Sequence, residues 1–277
     1  MIKNLTVVIT AFGKPEYLRE TLESATLTQF EGVRLVVLDD ASPNEYIKDI
    51  CSDFTPRVEY IRNELNLGIA GNFNKAFQLT ETQFLMIIGH DDVILESIQQ
   101  ILTKIDIDLD QCFGIALGAE AIDSSGNRSI NVTDLTKKFL APKKMGLYTG
   151  TKLKESLLYG NWTYFPGIVW NLKNIDRNPF SSDYQICMDW ELLLRLSCTE
   201  KGLLKVSNTA MQYRRHAASA SMASNAKSRF REEMKVQNKF LNPGRVNFKY
   251  RIFPFGNYLL RSFFERFRII TSLFQIK

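Results

Sequence analysis

Along the first hundred positions, apolar residues fall into short unbroken runs separated by polar stretches with helical spacing. Leu5–Thr10 is a β-branched run of the kind that fills a buried strand. Pro15 suits the first turn of a helix that the spacing predicts over Glu16–Thr28. Val33–Leu38 predicts a second buried strand, Ile47–Phe54 a helix, Val58–Arg62 a third strand, Gly71–Leu79 a helix and Phe84–Ile88 a fourth strand. This alternation predicts an α/β fold, with a parallel sheet flanked by helices on both faces. The second half is less regular. Phe113–Gly118 predicts a strand, Asp123–Asn127 a hairpin turn, Leu147–Tyr159 a helix, Trp162–Trp170 an aromatic-rich loop entering a strand, and Asp189–Cys198 a helix. No internal repeat is evident.

In parallel sheets, ligands gather at the carboxyl ends of the strands. Here those ends carry Thr10, Asp39-Asp40 and His90-Asp91-Asp92. Two adjacent carboxylates with no Lys or Arg beside them repel each other unless a cation neutralises them. A divalent ion such as Mg²⁺ or Mn²⁺, shared with phosphate oxygens, suits them, and so does a helix cap at Asp92. Asp39-Asp40-Ala41-Ser42 fits either a base- or ribose-binding strand tip or an Asx turn. Tyr213-Arg214-Arg215-His216 offers an imidazole for a metal and a guanidinium for a phosphate, or simply an exposed basic turn. Asp189 opens its helix, where a carboxylate serves as a cap or, at a cleft mouth, as a general base.

Charge narrows the partners. The chain has 277 residues and a net charge of +5, yet residues 227–277 hold twelve Lys and Arg against three Glu. The preceding residues are therefore net acidic, and the basic character belongs to the tail. Within Asn257–Lys277, Leu260, Phe263, Phe264, Phe267, Ile270 and Phe274 follow helical spacing opposite Arg261, Glu265 and Arg268. Such a helix suits an anionic membrane surface, or packing on the main domain or a partner subunit. No run reaches the roughly 18 apolar residues of a membrane span. The four cysteines are scattered, as expected of reduced thiols in a cytoplasmic protein, and the N-terminus shows no secretory leader pattern. The acidic strand ends argue against nucleic acid as a partner. A Gly-rich dinucleotide loop, a Walker loop, a nucleophile elbow and zinc spacing are all missing.

Taken in order, these residues resemble family-2 glycosyltransferases of the GT-A fold, with its mixed, mostly parallel sheet flanked by helices, over roughly residues 4–220. Thr10-Ala11-Phe12-Gly13-Lys14-Pro15-Glu16-Tyr17-Leu18 is similar to the family's Thr-x-Tyr-Asn-(Arg/Lys)-Pro-x-x-Leu opening, and Val37–Ser42 to its Val-x-Asp-Asp-Gly-Ser. Asn66-Leu67-Gly68 and Asn72-Phe73-Asn74 match its Asn-x-Gly and Arg-Asn segment. His90-Asp91-Asp92 stands where the family carries its Asp-x-Asp signature, with Gly89 in place of a frequent acid. Asp189 matches the base of the Glu-Asp motif, with Met188 replacing the Glu, and Tyr213-x-x-His216 matches a Tyr-Arg-x-His.

The resemblance implies an inverting, metal-dependent transfer from a nucleotide-diphosphate sugar, most commonly a UDP-sugar, to an acceptor hydroxyl. It implies Asp189 as catalytic base. Thr10, Ala11, Phe12, Glu16, Asp40, Asn66, Gly68, Asn72 and Asp91 would bind the nucleotide, and Asp92 and His216 the Mn²⁺ or Mg²⁺ ion. Trp162, Phe165, Gly167 and Trp190 are the acceptor-binding candidates, aromatic enough to stack on sugars or to fill a core. The expected division is a GT-A domain over 1–226, with nucleotide and acceptor halves meeting near 105, and a helical extension over 227–277. A glycan or lipid-linked acceptor in bacterial cell-surface polysaccharide or lipopolysaccharide assembly fits a tail on the inner face of the membrane. A homo-oligomer is compatible with all of this. The alternative is a non-catalytic sugar-nucleotide or polysaccharide-binding module with a decayed site, which Met188 and Gly89 favour.

Overall fold

The computed structural model describes residues 2, 4–13, 15–28, 32–215, 225–241, 248–260 and 262. Strands β1 (Leu5–Ala11), β2 (Val33–Asp39), β3 (Val58–Arg62) and β4 (Phe84–Gly89) are parallel neighbours in the order β3-β2-β1-β4. Their side chains alternate between two cores. Val7, Ile9, Val37 and Ile88 pack with α1 (Leu18–Leu27), α2 (Tyr46–Ser52) and α4 (Ser97–Thr103). Val8, Leu38, Leu85 and Ile87 pack with α3 (Gly68–Leu79), α6 (Gly150–Leu158) and α7 (Met188–Leu196). With both faces covered, each such aliphatic contributes roughly 1.5–3 kcal/mol, which is why these strands read as continuous apolar runs.

Among the described residues the sheet has nine strands. Beyond β4 it continues through β8 (Ile168–Asn171) to β6 (Cys112–Ile122) and the long β9 (Gly202–Arg214). β8 runs antiparallel to both its neighbours, and β9 parallel to β6. The outer edge of β9 takes two short antiparallel strands, β5 (Val93–Ile94) and β7 (Gly146–Tyr148). Thus β1, β2, β4, β6 and β9 all end on one rim.

The second half departs from expectation in instructive ways. The predicted Leu147–Tyr159 helix is divided: Leu147 and Tyr148 belong to β7, paired to Leu204 and Leu203, and the backbone turns at Gly150 (φ +51°), where α6 starts. The predicted Phe113–Gly118 strand runs on to Ile122 through register shifts around Gly118, where an added Cβ would lie 2.7 Å from the carbonyls of Ser207 and Asn208. Asp123–Asn127 does form a turn, with the Asp123 carboxylate accepting from Ser125 and Asn127 N–H. Helix α5 (Val132–Leu140), which the sequence reading passed over, is fixed by a capping box between Asn131 and Asp134 and buries no residue completely.

Part of the tail belongs to the body of the protein. Helix α8 (Ala226–Phe240) packs on α7 and sends Val236 and Gln237 inward. The Gln237 amide donates to the carbonyls of Leu158 and Tyr250. Residues 252–260 form a further helix. Among the described residues no helix is long and apolar enough to cross a membrane. Positions 263–277, most of the expected amphipathic helix, lie outside the described residues.

Candidate active site

The strand ends open onto a cleft of about 770 Å³. At the β2 end, the two adjacent carboxylates have different tasks. Asp39 is fully buried, accepts from Ser42 N–H and Oγ and from Tyr60 Oη, and so folds the turn. Asp40 lines the cleft, its Oδ1 held by Asn63 Nδ2 at 2.9 Å and Leu67 N–H at 2.8 Å. Asn63 also donates to Asn72, so three side chains form one network beneath the wall. Between them the backbone passes through Ala41 at φ +58°, a left-handed conformation that costs a residue with a Cβ about 1–2 kcal/mol.

The β4 end carries the second pair. Asp92 is almost wholly buried, and its two oxygens accept from Gly89 N–H at 3.1 Å and Arg214 N–H at 3.2 Å. Burial first, and then the Asp91 charge, push its carboxyl well above the usual range. Asp91 is the more exposed partner and also faces the cleft. Any side chain at position 89 would collide with it, since a Cβ there would stand 2.3 Å from Asp91 Oδ1. His90 donates through Nδ1 to Thr10 O at 3.3 Å, tying the β4 tip to β1. Arg214 is a brace: buried, it donates to Asp91 O and Glu20 and lies 4.4 Å over the Tyr17 ring. It is not the phosphate partner its position suggested.

Across the cleft stands Asp189, at the start of α7. Asn161 Nδ2 donates to its Oδ2 at 2.7 Å and the Trp190 N–H to its Oδ1 at 2.8 Å. The Asn161 amide has one orientation available, because its Oδ1 accepts from Thr163 N–H and Thr163 Oγ1. Lys137, on α5, holds the same loop by donating to the carbonyls of Asn161 and Thr163. Burial raises the Asp189 carboxyl, opposed first by the Lys137 charge. Burial likewise lowers the Lys137 ammonium to about 8, opposed first by Asp189. Arg215 pairs with Asp134 at 2.6 Å, while its buried Nε has no hydrogen-bond partner among the described residues. The N-terminal approach to α7 is secured by Glu232 of α8, whose carboxylate accepts from the N–H groups of Gln185, Ile186 and Cys187.

One cleft therefore gathers Thr10, Ala11, Phe12, Glu16, Asp40, Asn66, Gly68, Asn72, Asp91, Asp92, Phe165, Trp190 and Asp189. It does not gather Trp162 or Gly167. Trp162 is buried with its Nε1 donating to Ser156 Oγ, and Gly167 sits where a Cβ would press within 3.1 Å of Leu117 O. Both serve packing. Phe165 faces the cleft but is also stacked on Phe73 at 4.5 Å. His216 lies outside the described residues. Lys137, Asn161 and Asn63 are the site residues that sequence reading missed. Only the amphipathic spacing of Val132–Leu140 could have signalled the first.

The donor set can be tested against a divalent cation. Among the described residues no three His, Cys, Asp or Glu side chains converge on one point. Asp91 and Asp92, however, place two carboxylates side by side at the strand end, with Asp92 raised by burial and then by its neighbour's charge. Mg²⁺ and Mn²⁺ are commonly held by one or two carboxylates together with substrate phosphates, and the pair fits that pattern.

Comparison with known proteins agrees with the geometry. Residues 6–161 match the family model described as Glycosyl transferase family 2. An uncharacterized glycosyltransferase of Methanocaldococcus jannaschii is 22% identical over 219 residues, covering 76% of this chain and 70% of that protein. The crystal structure of S. aureus TarS 1-349 in complex with UDP-GlcNAc superposes with a TM-score of 0.63 at 15% identity, over 94% of this chain and 72% of that one. The same protein in complex with UDP gives a TM-score of 0.60 at 15% identity, over 90% and 69%. At that identity the superpositions establish the fold, a GT-A arrangement.

Proposed function

Because the chain belongs to glycosyl transferase family 2, we propose that its cleft transfers a sugar from a nucleotide-diphosphate donor to an acceptor hydroxyl with inversion at the anomeric carbon. The observation that carries this reading is Asp189. It faces the strand-end wall across one cleft and is aimed by Asn161 and the Trp190 N–H. The Asp189 carboxylate takes the acceptor proton as the oxygen bonds to the anomeric carbon. The bond from that carbon to the phosphate oxygen breaks, and its electron pair leaves with the nucleoside diphosphate. A carboxyl raised by burial is a stronger base than an exposed one, provided the pH keeps it ionised. Asp40, with Thr10–Phe12, Asn66, Gly68 and Asn72, forms the wall for base and ribose. Asp91 and Asp92 would hold Mn²⁺ or Mg²⁺, with Asp91 the more exposed of the two. A bound divalent ion supplies Lewis-acid stabilisation of the diphosphate.

UDP is the donor nucleotide favoured by the structural likeness, since the TarS complexes contain UDP-GlcNAc and UDP. The acceptor is a glycan or lipid-linked hydroxyl of a cell-surface polymer, and the basic tail keeps the protein at the membrane face where such acceptors lie. Thermal shift with UDP, GDP and dTDP, with and without Mn²⁺, tests the donor assignment. One nucleotide should raise the melting temperature in a metal-dependent way, and Asp91→Ala should abolish the metal dependence. Asp189→Asn should keep the nucleotide shift and lose about 10²–10⁴-fold in turnover. A nucleotide shift with no turnover of any UDP-sugar, in parent and variant alike, would leave a binding module in place of an enzyme.

A further inference from the structure

We propose that the rim of the cleft built from α5 and residues 248–260 docks onto an anionic lipid surface. Helix α5 has two working faces. Thr133, Thr136, Lys137 and Leu140 line the cleft. The opposite face presents Val132, Leu135 and Phe139 to solvent, with Leu135 57% and Phe139 76% exposed. The helix over 252–260 repeats the arrangement: Phe253, Pro254 and Asn257 face the cleft, while Ile252, Phe255 and Leu259 stay half or more exposed. The two elements touch through Phe139 and Phe253, whose ring centroids lie 5.8 Å apart. Their outer faces thus form one apolar strip beside the cleft mouth.

The charges on this strip point to its occupant. Across residues 130–149 and 248–260, every exposed charged side chain is a lysine: Lys138, Lys143, Lys144 and Lys249. The one carboxylate in these segments, Asp134, is held inward by Arg215 and Tyr164. Interfaces between proteins are depleted of lysine. Exposed Phe and Leu flanked by lysines are instead the composition of interfacial helices, whose apolar face enters the acyl boundary while the ammonium groups reach anionic headgroups. This inference needs neither the donor nor the chemistry proposed above. Were both correct, a lipid-linked acceptor would reach the cleft without leaving the surface that carries it.

Vesicle flotation of the full chain tests the proposal, with phosphatidylcholine vesicles that either contain or lack phosphatidylglycerol. The parent should float with the anionic vesicles and fall away with the neutral ones. The L135E/F139E double variant, with both changes on exposed positions, should lose about ten-fold or more in vesicle affinity. K138E/K143E/K144E should lose binding in the same direction, and that loss should shrink at high salt. The melting temperature and the nucleotide-induced shift of each variant should match the parent, which separates a lost docking face from a lost fold or cleft. Undiminished flotation of L135E/F139E would overturn the proposal, because the binding would then reside elsewhere, as in the unaltered tail. Absence of flotation in the parent would also overturn it. So would a parent dimer that becomes a monomer in L135E/F139E without any vesicle binding, since a second copy would then be the occupant.

Discussion

Lys137→Met removes the cation beside the proposed base while keeping the length and apolar stem of the side chain. In the parent, burial raises the Asp189 carboxyl and Lys137 is the strongest group opposing that rise. Opposite charges at close range shift a carboxyl by about 1 to 3 units. Lys137 reaches Asp189 through the loop carrying Asn161, because its own hydrogen bonds go to the Asn161 and Thr163 carbonyls. Its loss therefore leaves the Asp189 carboxyl higher still. The sign follows directly. Without the ammonium, Asp189 is protonated up to a higher pH, so the acid limb of the rate profile moves towards alkali.

The assay is kcat/KM for UDP release from a UDP-sugar, measured against pH for the parent, Lys137→Met and Lys137→Arg. In Lys137→Met the acid limb should move to higher pH, with a rate deficit below it that closes on the alkaline side. Lys137→Arg keeps a cation and should move the limb little. An acid limb left in place in Lys137→Met would refute the coupling and reduce Lys137 to a loop clamp. A uniform loss across the whole pH range would do the same.

The same lysine predicts a stability effect. Its folded value near 8 lies below the ordinary 10.5, so the charged form is disfavoured in the fold below about pH 8 and the penalty fades as pH rises through 10.5. Denaturant melts should show parent stability gaining roughly 3 kcal/mol over Lys137→Met across that window. Glu232→Ala strips three backbone N–H groups of their acceptor ahead of α7 and should cost about 2–3 kcal/mol in chemical denaturation. A loss below half of that would mean water replaces the carboxylate. Ala41→Gly relieves the left-handed strain, offset by unfolded-state entropy, and should be neutral or stabilising by up to about 1 kcal/mol.

The first hundred residues were legible because their signals are local. Strands β1, β2 and β4 are each built on an apolar run that ends in the polar residues meeting at the rim, so reading Thr10, Asp40 and Asp91 at strand ends already places them in one cleft. Even the departure of Ala41 from the family pattern has a local meaning, since the backbone there takes the conformation that glycine adopts without strain. What local reading could not do was divide labour within a carboxylate pair. Asp39 and Asp40 are chemically identical in the sequence, and only the positions of Ser42, Tyr60 and Asn63 make one structural and leave the other at the cleft wall.

The second half hid its parts because they act over long separations. Lys137 meets the 161–163 loop, Glu232 meets residues 185–187 and Arg214 meets Glu20, each pair far apart in the chain. The aromatic segment at 162–167 misled for a related reason. Ring content alone does not say whether a side chain faces a sugar or a core, and the Ser156 hydroxyl decides it for Trp162 by satisfying the indole N–H inside. The same long-range logic explains why the proposed base is buried yet useful. Asp189 gives up solvation to gain a fixed orientation, and the partners that compensate come from α5, the 161–163 loop and α7 itself. In a site assembled this way, substitutions at Lys137 and Asn161 act on the charge and the aim of a single carboxylate.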